Sequence, residues 1–506
     1  MFRSDFPGPV GHQMVAAGAA IGGAAGFMKR GLTALGAAML LAACADMGHQ
    51  VPHTAMRGAD TVPAQATIAG LETHPAAWPQ QDWWQAWGDP QMTALVERAR
   101  ADSPTMAAAL ARVRQAAALE EVSEAALSPQ ATLGARSTRQ HFSANSNVPK
   151  PLAGQWAWFN DASVAMNYEV DFWGKNKAAV RAAAGRVNAQ VAEAQAASLA
   201  LSVAVVQAYL RLDQLFVQRD LAALALQQRE QTLALVAQRV AAQLDARADL
   251  KQAEIGVPLA RAQLAALDES IALTRGQLAA LAGQGPDAGA AIARPRIALQ
   301  RRAGVPDDVS AALLGRRPEL VALRWRVEAA SGDIDVAEAQ FYPSVNLGAL
   351  VGLQSLGFDK LLQGSSRTLA VGPLVTLPLL DGGRLRANLA GRNADYDLAV
   401  DQYNGAVIEA MRDVVAQLTS LHWLAERIRD EDEALAAAEE AYQLSVQRYR
   451  SGVGNFLQVL VVQAQVIAAR RSRAELTARG NELDLNLVRA LGGGLTAPAA
   501  PASIKH

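Results

Sequence analysis

Seven histidines and one cysteine are the side chains of this sequence that could hold a transition metal or exchange a proton near neutral pH. The histidines are His12, His49, His53, His74, His141, His422 and His506. None belongs to a metal-ligand motif, and four precede the region that reads as folded. His422 stands alone on a long helical stretch. There is no glycine-rich phosphate loop and no nucleophile elbow. Gly492-Gly493-Gly494 follows a helical pattern and reads as its stop. Trp83, Trp84 and Trp87 could stack a ligand, but at helical spacing they read as packing anchors. No catalytic residue, cofactor or metal site is therefore assigned, and an enzyme is not expected. Lys and Arg number 47 against 48 Asp and Glu, so no basic excess exists to hold nucleic-acid phosphate.

Cys44 has a different chemistry. Lys29-Arg30 forms a positive flank, and Gly31 to Ala43 is an apolar run too short to span a bilayer. It ends in Leu41-Ala42-Ala43-Cys44, which resembles a bacterial lipoprotein signal, cleaved before a cysteine whose thiol is acylated. Residues 1–43 are read as signal peptide, with 1–27 a mis-assigned start or an extension before Met28. Ala45 replaces the aspartate that would favour inner-membrane retention, which leaves the outer membrane as destination. The remaining chain has no run of about twenty unbroken apolar residues, so a helical membrane bundle is not expected.

The chain repeats itself once. Pro104 and Pro318 differ by 214, as do Arg112 and Arg326, and Pro129 and Pro343. Further on the offset is 209, for Gly174 and Gly383, Arg239 and Arg448, Glu254 and Gln463, and Gly283 and Gly492. Each unit reads helix, strand, turn, strand, very long helix, tip, long helix. Val164, Met166, Tyr168, Val170 and Phe172 alternate with polar residues, as do Val345, Leu347, Ala349, Val351 and Leu353. Leu369, Val371, Val375 and Leu377 share one parity, whereas the first strand, with Arg136 and Arg139, is weaker. Period two with one apolar side predicts amphipathic strands. Lys175 to Arg239 contains no proline, enough for a helix of roughly 95–100 Å. Val400, Val407, Val414, Leu421 and Ile428 recur by sevens, with Met411, Leu418 and Ala425 as a second seam, so coiled-coil packing is predicted. Pro258 should kink the first return helix.

Four strands cannot close a barrel, and open edges are forbidden in hydrocarbon. The sheet must be shared, and three copies would give twelve strands, a size known for outer-membrane barrels. Residues 81–285 are assigned to the first repeat, 286–310 to a linker and 311–494 to the second. Residues 44–80 form a lipid-anchored N-terminal linker, and 495–506 a disordered tail.

The segments Trp83 to Pro90, Tyr168 to Lys175, Arg316 to Glu319, Phe341-Tyr342-Pro343, Leu380 to Arg384, Arg448 to Gly452 and Ala490 to Gly493 resemble, in order and spacing, the outer-membrane efflux protein family, lipoprotein branch. The resemblance implies a mixed fold: a trimeric channel-tunnel with a twelve-stranded outer-membrane β-barrel and a periplasmic α-helical barrel. It implies a passive exit for small, often apolar compounds, with a periplasmic adaptor and an inner-membrane efflux transporter as partners. A channel for type I protein secretion is the alternative. It places the adaptor contacts at the tips, at Arg239 and Gln243 and at Arg448 and Gly452. It implies a periplasmic lock in which Asp249 meets Arg448 and Tyr449. Two departures stand out. The first tip has Gln243 and no glycine, so its turn is expected to be less tight than that at Gly452. The positions that often hold acids near the pore constriction are Gln458 and Val461. Either Leu457 and Val461 form apolar rings, or they face a neighbouring helix and Gln458 lines the pore.

Overall fold

The computed structural model describes residues 47, 50–58, 61–71, 77–297, 306 and 309–495. The expected signal, Cys44 and the tail beyond residue 495 lie outside the described residues. The chain begins with α1 (Gln65–Ala69), a 3-10 turn (Trp83–Trp87), α2 (Pro90–Asp102) and α3 (Pro104–Ala125). Strands β1 (Gln130–His141) and β2 (Trp156–Val170) lead to α4 (Lys175–Ala241) and α5 (Arg247–Leu281). After α6 (Asp287–Ala290) and α7 (Val309–Arg316) the order recurs: α8 (Pro318–Ala339), β3 (Ser344–Leu356), β4 (Arg367–Thr376), α9 (Arg384–Arg450) and α10 (Phe456–Ala490).

The duplication is kept at the level of single residues. Helices α3 and α8 each have 22 residues, α4 and α9 each 67, and α5 and α10 each 35. Local chemistry sets these boundaries. Proline opens α2, α3 and α8, where a missing N–H costs nothing. Ser103 caps α3 by accepting from the Thr105 N–H at 3.2 Å. Where strand becomes helix, Gly174 and Gly383 take φ of 72° and 87°. The carboxylates beside them, Asp171 and Asp381, accept first-turn N–H groups from Lys177 at 2.9 Å and Leu385 at 2.8 Å.

The four strands form one antiparallel sheet in the order β1-β2-β3-β4. Its register aligns Leu133, Val164, Val351 and Leu369 in one row across the sheet. The next row, on the opposite face, is Gly134, Ser163, Gly352 and Thr368. The apolar row is 40–79% exposed, although its side chains are those that normally fill a core. The sheet thus turns an apolar face outward, and β1 and β4 are left as open edges.

The helices pack through small and apolar side chains. Helix α8 lies between α4 and α9, while α3 rests on α4 and makes no comparable contact with α9. Helix α4 also packs against α10. Trp83, Trp84 and Trp87 are buried with Met92, Val96, Val206 and Leu212. A β-carbon at Gly492, where φ is 90°, would sit 2.2 Å from the Arg316 carbonyl oxygen, and one at Gly283 would sit 2.8 Å from that of Asp102. Each repeat therefore closes its base on a glycine that admits no side chain.

One expectation changes. The heptad seam holds from Val400 to Leu418, but beyond it Leu424 is buried and Ala425 is exposed. A straight helix drifts from a seven-residue repeat by about 20° per heptad, which moves the seam. Helix α5 runs through Pro258 without a break, and Arg229 of α4 donates to the Gly256 carbonyl at 2.9 Å beside it. Helix α4 contains a stretch apolar enough to cross a membrane by length and composition, but 44% of it is buried within the chain, as in a packed core helix.

Candidate functional site at the helical tips

The two helical hairpins turn at residues 241–247 and 450–456. In the second, Gly452 takes φ of 76°. Its N–H bonds to the Tyr449 carbonyl at 3.1 Å, and that of Val453 to Arg448 at 2.9 Å. In the first, Gln243 takes φ of 60°, its N–H bonds to Val240 at 3.0 Å, and that of Leu244 to Arg239 at 2.9 Å. The expectation of a looser first turn is thus corrected. The backbone is the same, and Gln243 adopts the left-handed conformation against the clash of its β-carbon. Just beyond the turns, Leu244 and Val453 occupy matching positions and are 65% and 71% exposed.

Above the turns lies a polar cluster. Arg239, at the end of α4, forks onto Asp245, with Nε to Oδ2 at 2.9 Å and Nη2 to Oδ1 at 3.2 Å. Its guanidinium lies 4.5 Å from the centre of the Tyr449 ring, and its Nη1 donates to the Tyr449 carbonyl at 3.2 Å. The Tyr449 hydroxyl donates to Asp245 Oδ2, so one carboxylate joins the two hairpins. Tyr449 is 1% exposed, and Val236, Ala253, Phe456 and Val459 pack around it. The Arg239 guanidinium, with the Tyr449 hydroxyl, holds the Asp245 carboxyl below its usual range. Burial, then the Asp245 carboxylate, pushes the Tyr449 phenol up.

The sequence reading pairs Asp249 with Arg448 and Tyr449; within one chain Tyr449 meets Asp245 instead. Asp249 lies in the first turn of α5, and its carboxylate accepts the Ala246 N–H at 3.2 Å. Within the chain it caps its own helix. Arg448 also differs from expectation. It is exposed and forms no ion pair among the described residues. Asp245 was missed because it sits in the turn, two residues past the left-handed position, where no periodic pattern marks it. A readable signal was the acid three residues after Ala246, which is helix-cap spacing.

Leu457, Gln458 and Val461 lie on the first turns of α10, all turned away from their own chain. Leu457 is 67% and Val461 50% exposed, whereas Phe456 and Val459 are buried. The three share the open side of the helix, which leaves both sequence readings of the constriction standing.

A second group was not anticipated. Residues 50–57 run along α9 and are held by three of its side chains. Asn393 donates to the Gln50 carbonyl at 3.0 Å, and Asp397 accepts the N–H groups of His53 and Thr54 at 2.8 and 2.9 Å. Asn404 accepts from the Arg57 N–H at 2.7 Å and donates to the Ala55 carbonyl at 3.0 Å. Spaced by four and seven residues, these groups share one helix face. Among the described residues no cluster of three His, Cys, Asp or Glu side chains could hold a metal ion.

Comparison with known proteins agrees with this architecture. The family model for outer membrane efflux protein matches residues 95–284 and 309–493, one stretch per repeat. The chain is 38% identical to the fusaric acid resistance protein FusA of Burkholderia cepacia, over 72% of this chain and 69% of that one. It is 32% identical to the multidrug resistance outer membrane protein MdtP of Escherichia coli K12, over 92% and 96%. Among solved structures, the outer membrane protein VceC of Vibrio cholerae superposes with a TM-score of 0.78 at 37% identity, covering 82% of this chain and all of that one.

Proposed function

The chain belongs to the outer membrane efflux protein family, and we propose from its geometry how it works as the exit duct of a tripartite efflux pump. The observation that carries the reading is an asymmetry between the repeats. Helix α4 is flanked by α8 and α10, but its counterpart α9 lacks the matching contacts with α3 and α5. A neighbouring copy supplies both. Leu110, Leu119 and Val122 on α3, and Leu398, Ile408 and Trp423 on α9, are exposed in one chain. The same step joins β4 to the next copy's β1, and three copies close a barrel of twelve strands. The test is mass and conductance: trimers purified in detergent should insert into planar bilayers and conduct, and a monomer that conducts would contradict the reading.

Asp245, Arg239 and Tyr449 act as the lock that keeps the tips together, in place of the Asp249 pairing. Arg448 is free to meet a carboxylate of the neighbouring copy. Leu457 and Val461 form apolar rings that close the pore by dewetting. The six tips of a trimer, each with an exposed Leu244 or Val453, form the surface for a periplasmic adaptor, through which an inner-membrane transporter drives export. Cys44 carries the lipid, and the strap along α9 holds the segment that follows it. The names of FusA and MdtP point to small antimicrobial compounds as cargo and favour drug efflux over protein secretion.

A further inference from the structure

The rows of the sheet separate its charges. The two carboxylates of the strands, Asp161 and Glu169, have odd numbers in β2 and lie on the face opposite Val164 and Met166. Arg136, opposite Asp161, shares that inner face. The remaining strand arginines point the other way. Arg139 is paired with Trp158, and His141 with Trp156, on the parity of Leu133 and Val164. Arg367 opposes Leu353, which lies on the parity of Val351. The apolar outward face therefore carries arginines, and none of the strand carboxylates. Neither Arg139 nor Arg367 forms an ion pair among the described residues.

The depth of Arg139 is also fixed. The helices leave from the Val170 end of the sheet, so the other end is extracellular. From Val170 to Trp158 the strand rises about 40 Å, or about 30 Å along the membrane normal at a tilt of about 40°. The apolar band of such barrels is about 25 Å tall, so Trp158 and Arg139 stand just above it. There the Arg139 guanidinium lies 5.9 Å from the Trp156 ring, His141 lies 5.4 Å from the same ring at a tilt of 58°, and Phe358 lies 5.5 Å from Trp158. An arginine is costly on the lipid face at mid-depth and tolerated at the interface, where it meets head groups. Closing the barrel does not change which face a strand residue occupies, so these groups stay outward in the trimer.

We propose that this rim, Arg139 with Trp156 and Trp158, binds the phosphate groups of the glycolipid in the outer leaflet. The aromatic rings rest at the acyl boundary, and the guanidinium forks onto phosphate oxygens. The inference rests on the barrel reading above, which conductance tests separately.

The probe is lipid A in its diphosphorylated form, added to the full-length trimer in detergent and counted by native mass spectrometry. Wild type should retain it. Arg139→Gln should lower retention at least fivefold, while Arg139→Lys keeps most of it. Lipid A stripped of phosphate should be retained at least fivefold less by wild type, and millimolar inorganic phosphate should not displace the intact lipid. Equal retention by wild type and Arg139→Gln, both still trimeric and conducting, would overturn the proposal. So would equal retention of the stripped lipid, which marks apolar contact alone, or full displacement by free phosphate, which marks an unspecific anion site.

Discussion

Arg239 and Arg448 hold the same position in the two repeats, yet Arg239 forks onto Asp245 and Arg448 meets no carboxylate among the described residues. The reason is one residue. The counterpart of Asp245, 209 positions on, is Gly454. The tip thus has one satisfied arginine and one open one, and the duplication has diverged at this position.

The cluster sets a pH window. Asp245 has a depressed pKa, so its contribution is full above the ordinary carboxylate range, about 4, and is lost as pH falls below it. Tyr449 has a raised pKa, so its contribution is full below about 10 and lost only in stronger alkali. Single-channel conductance should stay level from about pH 5 to 9 and rise in acid below about 4. A step near pH 6–7 would point to a histidine instead.

Gln243→Gly should stabilise the first tip by about 0.5–1 kcal/mol. The left-handed conformation costs a β-carbon about 1–2 kcal/mol, partly offset by the larger entropy of glycine in the unfolded chain. Gly452→Gln should cost a similar amount. Thermal unfolding followed by circular dichroism should show opposite shifts, and shifts of the same sign would refute the matching geometry.

Much of this was legible in the sequence. The offsets of 214 and 209 follow from prolines and glycines that punctuate helices, and such residues are visible because their backbone chemistry is unusual. The strand parities were legible because β2 and β3 each carry a run of apolar residues on one parity, Val164 to Val170 and Val345 to Leu353. The partner of Tyr449 was not, because a turn acid carries no period. Nor was the strap along α9, since Asn393, Asp397 and Asn404 look like ordinary solvated positions until the N-terminal backbone lies on them.

The strap yields its own test. Asp397→Ala removes an acceptor for the His53 and Thr54 N–H groups and the Thr54 hydroxyl. Hydrogen exchange at residues 50–57 should then accelerate at least tenfold, with the α9 amides unchanged. Unaltered exchange would mean that Asn393 and Asn404 hold the strap without it.

The constriction is tested by charge. Val461→Asp would place three carboxylates in a confined ring, which should confer cation selectivity and block by millimolar divalent cations from the periplasmic side. The wild type should show little of either. Strong divalent block of the wild type would reject the apolar rings and favour Gln458 as the lining residue.

The most direct test of the central claim, a trimeric exit duct held shut at its tips, is single-channel recording of three proteins in planar bilayers: wild type, Asp245→Ala and Asp249→Ala. The account predicts a small wild-type conductance, an increase of several-fold in Asp245→Ala, and a value near wild type in Asp249→Ala. A conductance unchanged by Asp245→Ala, or raised by Asp249→Ala alone, would contradict it.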